Sequence, residues 1–186
     1  VVVRTSRDGE HTRLVIDSEL GIRYYQGEPR MGTVVSLYLD MGDAAFEKLA
    51  AEGTAFLRKS CQYVEAELVA IRTAGDEEDL TRPFELVLPL VAEAMDADGA
   101  EIVVGYGQAP PTWCLMNRRL VLQEGAGSLC GGATLLGSSR ELEHNMARNA
   151  VIQDEGFERF VHRVERLVEQ ELLPKLVLRL QNRSHG

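Results

Sequence analysis

The chain has 186 residues, of which 45% are hydrophobic and 26% charged, a balance that suits one globular domain or one and a half and excludes a wholly disordered polymer. Its formal charge of −9 would repel nucleic-acid phosphates and anionic lipid unless basic residues gathered on one face, and the densest basic spot before the C-terminus is only Arg118-Arg119. No run approaches the ~20 apolar residues of a membrane span, and "VVVRTSRDGEH" is too short for a signal peptide, so the expectation is a cytoplasmic protein whose partners include neither nucleic acid nor membrane. Cys61, Cys114 and Cys130 are widely spaced and contain no C-x-x-C, which indicates neither a disulfide framework nor a cysteine zinc site. His11, His144, His162 and His185 form no H-x₃-H or H-E-x-x-H pair, and no metal ligand set is read here.

Residues 1 to 40 read as strands joined by turns, with "TRLVIDS" and "TVVSLYL" as β-branched and aromatic runs and the polar "ELGIRYYQGEPRMG" as the connection between them. After Asp40 the period changes. Phe46, Leu49, Gly53, Phe56 and Leu57 recur at helical spacing, so a helix is expected from about Asp43, with Gly53 as a place to kink. "YVEAELVAIRT" alternates like a strand, and the acidic "AGDEEDLTRP" between Gly75 and Pro83 reads as a loop or linker. "FELVLPLVAEAMDADG" has the apolar density of a buried helix over 84 to 97, ended by Gly99. "AEIVVGYG" follows as a strand, "TWCLMNRRLVLQEG" as a strand or hairpin arm, and "AGSLCGGATLLGSS" as a glycine-rich connection into another strand. From Asp154 onward Phe157, Phe160, Val161, Val164, Leu167 and Val168 make one apolar stripe of a long helix that Pro174 should kink or end.

Several residue groups carry the types that chemistry needs. Gly125, Gly127, Gly131 and Gly132 would let amides approach a phosphate, but their spacing meets neither the dinucleotide fingerprint nor the P-loop, and a flexible connector is favoured. Ser138, Ser139, His144 and Asp154 have the makings of a serine triad without a G-x-S-x-G elbow. Asp76, Glu77, Glu78 and Asp79 lack the alternate spacing of a calcium loop. Arg148 has two readings. It is either an exposed residue pairing with Glu141 or Asp154, worth little energetically, or a bidentate fork beside a helix N-terminus, where amides and dipole already favour an anion. An arginine so placed could act on the terminal phosphate of a nucleotide, with Asn145 fixing the preceding loop and Gln153 reaching the same group.

The order of segments adds a resemblance. "RMGTVVSLYL" is similar to the R-G-T-x-V-x-L-x-L strand that closes the ATPase domain in the 90-kDa heat-shock chaperone family, a branch of the GHKL ATPases, and Ser6-Arg7-Asp8-Gly9 echoes the family's preceding S-x-D-G. "FLRKSCQYVEAELVAI" and "MNRRLVLQEG" resemble segments of its middle domain, and "LEHNMARNAVIQDEGF" is similar to its L-x-x-N-x-S-R-E-x-L-Q-x loop and helix, whose arginine and glutamine approach the γ-phosphate of ATP held by the neighbouring domain. Ala147 stands where the family has Ser, Asn149 where it has Glu, and Gln153 falls one residue later than the family's first glutamine.

The resemblance implies residues 1–42 as the strands ending an ATPase domain and 43–186 as a compact middle-domain-like unit, the chain beginning after the segments that form the nucleotide site. It implies ATP as cofactor, held mainly outside this chain, with Mg²⁺ as a candidate companion and Arg148 as the catalytic residue. Arg148, Asn145 and Gln153 are its nucleotide-binding residues, and client proteins, a partner domain or a second copy of the chain are its partners. The fold class expected is α+β, or α/β, with mixed sheet layers covered by helices near 44 to 60, 84 to 97 and 154 to 173. Two other functions stand beside the ATP-dependent chaperone: a non-enzymatic interaction module docking through the 154–173 helix, and a small-molecule enzyme using the 125–132 glycines.

Overall fold

The computed structural model describes the chain except residues 8, 18, 20, 30–32, 37, 72–75, 147–149 and 184–186. The fold is α+β, and the chain divides into two compact units, Val1–Leu49 and Ala50–Gly186.

The first unit holds β1 (Val2–Arg7), β2 (Glu10–Ile16), β3 (Ile22–Gln26) and β4 (Thr33–Ser36) in one antiparallel sheet of order β3-β2-β1-β4. β3 lies inside the segment expected as a connection, because Ile22, Tyr24 and Tyr25 have strong strand propensity that the flanking glycines conceal. Register sorts the faces. Tyr24, Leu14, Val3 and Val35 form one cross-strand row, and Tyr25, Arg13, Arg4 and Val34 form the next, which points the opposite way. On that second row the Arg13 guanidinium lies 5.7 Å from the centre of the Tyr25 ring, within cation–π range. α1 (Asp43–Ser60) begins where the sequence places it and runs through Gly53 as one helix.

In the second unit β5 (Val69–Ile71) pairs with β6 (Glu77–Asp79), so among the described residues of the "YVEAELVAIRT" segment the expected strand takes in three, and the acidic run contributes its partner. The main sheet comprises β7 (Val91–Ala97), β8 (Ala100–Tyr106), β9 (Thr112–Asn117), β10 (Leu120–Ala126) and β11 (Thr134–Ser139) in the order β10-β9-β11-β8-β7. β11 runs parallel to β9 and antiparallel to β8. The helix expected over 84 to 97 is therefore not formed: an irregular loop leads to Leu90 and a strand follows it. Asp98 (φ 53°) and Gly99 (φ 73°) build the two-residue turn whose twist matches a hairpin, and β7 folds back on β8 through it. Arg118 (φ 49°) and Arg119 (φ 62°) do the same between β9 and β10.

One long helical segment covers one face of this sheet: α2 (Glu155–Leu167), a π-helical turn over Val168–Leu172, then α3 (Leu173–Arg183). Phe160, Val164, Val168 and Leu172 are buried with Ile102, Val104, Leu115 and Leu135 in the larger core cluster. At Gly137 a Cβ would come 2.3 Å from the Phe160 ring, so only glycine lets the ring reach the strand. This packing overturns the docking role expected for the 154–173 stripe, because Phe160 and Val164 are 0% and 1% exposed and already have a partner surface. Pro174 does not end the helix either. The Leu173 N–H bonds to the Val168 carbonyl across the wide turn, which loosens the backbone where the proline ring would otherwise strike the carbonyl four residues back. The opposite sheet face packs Cys114, Met116 and Leu136 against Tyr63, Phe84, Leu86, Val103 and Val121. No helix among the described residues is long and apolar enough to cross a membrane.

Candidate functional site

Arg148, with Ala147 and Asn149, lies outside the described residues, but both flanks are described. Ser139 ends β11, its Oγ accepting from the Glu141 N–H at 3.2 Å, and the chain then doubles back on itself. Ile152 N–H donates to the Glu143 carbonyl at 2.8 Å and Asn145 N–H to the Ala150 carbonyl at 2.9 Å, with His144 and Val151 bridged between them. Two side chains from the β9–β10 hairpin hold this base: Asn117 Nδ2 donates to the Leu142 carbonyl at 2.8 Å, and Gln123 Oε1 accepts from the Val151 N–H at 2.8 Å. The pairing of β10 with β9 slips between Val121 and Gln123, at a bulge of the kind that re-aims a side chain. Neither clamp was visible from the sequence, because both connect residues 25 or more apart that only the sheet brings together.

Of the other sequence-derived nucleotide residues, Asn145 sits in that base and Gln153 is exposed just before α2. α2 starts at Glu155, so Arg148 is not its first residue. The Asp154 carboxylate caps the helix, accepting from the Phe157 N–H at 3.0 Å, and Glu155 and Glu158 make the first turn acidic. A second anion is therefore repelled from this end, and the argument that placed a phosphate on the helix N-terminus does not carry.

The remaining candidates resolve into structural roles. Arg119 Nε donates to Glu101 at 2.9 Å, a bond that raises its pKa further, and its guanidinium lies 5.1 Å from the Phe84 ring centre. Half of the basic pair is thus committed internally. Ser138 Oγ accepts from the Arg119 N–H, Ser139 Oγ from the Glu141 N–H and the Asp154 carboxylate from the Phe157 N–H, so both serines and the aspartate of the candidate triad are engaged in holding backbone. In the glycine segment Tyr106 donates to the Gly131 carbonyl and Ser128 to the carbonyls of Cys130 and Ala133. Carbonyls rather than amides are being gathered there, which is the wrong polarity for a phosphate cradle. Glu78 pairs with Arg58, and Asp79 accepts from Thr81, which lowers its pKa. No group of residues suited to hold a metal ion occurs among those described. Cys61, Cys114 and Cys130 are free thiols. Burial pushes Cys114 up to about 12 and Cys130 up to about 11, so neither is a nucleophile near neutral pH.

What the sequence did not disclose is a groove of about 680 Å³ at the end of the main sheet where β8 stops and β9 and β11 begin. Its floor includes Gly105, Thr134 and Leu136, and its walls are the 85–90 loop, the 106–110 turn and Arg179 of α3.

No protein-family model and no curated protein matches this chain. Among solved structures it is similar to the B subunit of DNA gyrase from Myxococcus xanthus, with a TM-score of 0.39 and 10% identity over 89% of this chain and 65% of that one. The chain thus spans less than two thirds of that relative's length, and a likeness so slight carries no argument about what this protein does.

Proposed function

We propose that this chain is part of an ATP-dependent, GHKL-type chaperone, in which the 143–152 segment presents Arg148 to ATP bound by an adjacent domain and couples nucleotide state to client binding. What supports the reading is the collinear order of the four motif resemblances, from "RMGTVVSLYL" to "LEHNMARNAVIQDEGF". The observation that carries it is the clamped base: with Asn145 tied to Ala150 and Val151 tied to Gln123, the two ends of the segment bearing Arg148 are brought together and fixed to the sheet. A guanidinium can stabilise a transferring phosphoryl group only if its backbone is held, because misplacement by about 1 Å can cost ~100-fold in rate.

In the intact ATP-hydrolysing assembly, Arg148→Ala is expected to lower ATP turnover by at least about 1,000-fold, the lower end of arginine contributions to phosphoryl transfer. The urea midpoint of the chain should stay unchanged. Wild-type turnover in that variant would end the proposal.

A further inference from the structure

The groove at the end of the main sheet has features that its neighbours' packing does not use. Its volume of about 680 Å³ falls within the ~300–1,000 Å³ of small-molecule sites. The loop on one wall is anchored at both ends. Leu86 lies so close on Gly105 that a Cβ there would come 2.6 Å from its Cδ1, and Leu90 N–H donates to the Tyr106 carbonyl at 2.7 Å. Between these anchors Val87 and Leu88 are each 91% exposed, and Leu88 has φ 46°, a backbone state that a branched L residue rarely adopts. Two apolar side chains are thus held out to water beside an apolar cleft, and strain of this kind gathers at ligand clamps.

The polar groups of the groove are few. Tyr63 lines the groove, and burial raises the pKa of its hydroxyl, so it stays neutral. Glu85 is the one carboxylate of the lining. Arg179 is its cation, exposed on α3 and without an ion pair among the described residues. One planar guanidinium matches the geometry and single charge of a carboxylate, whereas a phosphate dianion would call for more positive charge than the groove has.

We propose that this groove binds a small amphipathic carboxylate, its apolar chain lying along Leu86, Leu90 and Leu136 and its head on Arg179. The inference is independent of the nucleotide reading. The test titrates the purified chain with sodium dodecanoate below its micelle concentration, followed by calorimetry and by the fluorescence of Trp113, the single tryptophan, whose neighbour Thr112 lines the groove. Saturable binding of one dodecanoate per chain is expected, with dodecan-1-ol at least about tenfold weaker, since the alcohol lacks the charge that would pair with Arg179. Arg179→Gln should weaken dodecanoate at least about tenfold and leave the alcohol unchanged. Gly107→Leu, whose Cβ would enter open space, should block both ligands, and circular dichroism checks that each variant stays folded. Absence of saturable binding, equal affinity for acid and alcohol, or either folded variant binding dodecanoate like wild type would overturn the proposal.

Discussion

The two units solve the problem of a β-sheet differently. Among the described residues of the first, only Val2 is buried, while Ile22, Tyr24 and Val35 are more than half exposed. In the second, a helix closes one face of the sheet with Phe160, Val164, Val168 and Leu172, and the other face carries its own smaller cluster. Strand propensity and register suffice to pair four strands, but a core needs a second layer, and among the described residues it is the second unit that has one packed on its sheet.

The sharpest way to break this contrast is to remove side chains on both sides of it. Phe160→Ala should cost about 3–5 kcal/mol, because it empties a fully buried site against Gly137 that the rigid sheet cannot refill. Tyr24→Ser should shift stability by less than about 0.5 kcal/mol, as expected of an exposed residue with no core to lose. Urea unfolding measures both, and comparable losses would mean that the first unit has a core of its own.

A smaller effect concerns the buried thiols of the second unit. Their folded pKa values, about 12 for Cys114 and about 11 for Cys130, are raised above the ordinary 9.0. Their contribution to stability is therefore fully present below pH 9 and is lost as pH rises through the folded values, because the unfolded chain ionises first. Each thiol should steepen the loss by up to about 1.4 kcal/mol per pH unit between pH 9 and its folded pKa. Urea midpoints at pH 8 and pH 10 check this, and Cys114→Val should flatten the slope.

The smallest effect tests how the covering helix begins. Asp154→Ala leaves the Phe157 N–H without its acceptor and should cost about 1 kcal/mol, read as faster amide exchange in the first turn of α2. Unchanged exchange would mean that packing alone fixes that end.

Most of the second unit could be read where one period dominates. The stripe from Phe157 to Val168 fits a helix and no strand, and the "TWCLMNRRLVLQEG" hairpin shows strand residues on both sides of its turn. The miss over 84 to 97 arose where the periods conflict. Val91, Ala92, Ala94, Met95 and Ala97 satisfy helical spacing as well as alternation, and Gly99, which suits a helix end, instead completes with Asp98 the turn that decides for a hairpin. Inside the proposed nucleotide-facing loop, Asn145 and the order of motifs were legible, whereas Gln123 and Asn117 were not, since a polar residue on an edge hairpin announces no distant backbone partner. The groove escaped for the same reason: residues from 63 to 179 meet there only once the sheet has formed.

The wide turn at Val168–Leu172 also acts as a phase shifter. A residue in an α-helix turns the chain by about 100°, so the looser winding over these five positions resets the azimuth of everything that follows. The azimuth at which Arg179 emerges beside the cleft is thus governed not at residue 179 but two to three turns earlier. Excising one residue from that stretch would swing the guanidinium round the axis of the helix and shift Leu172 off its place in the core.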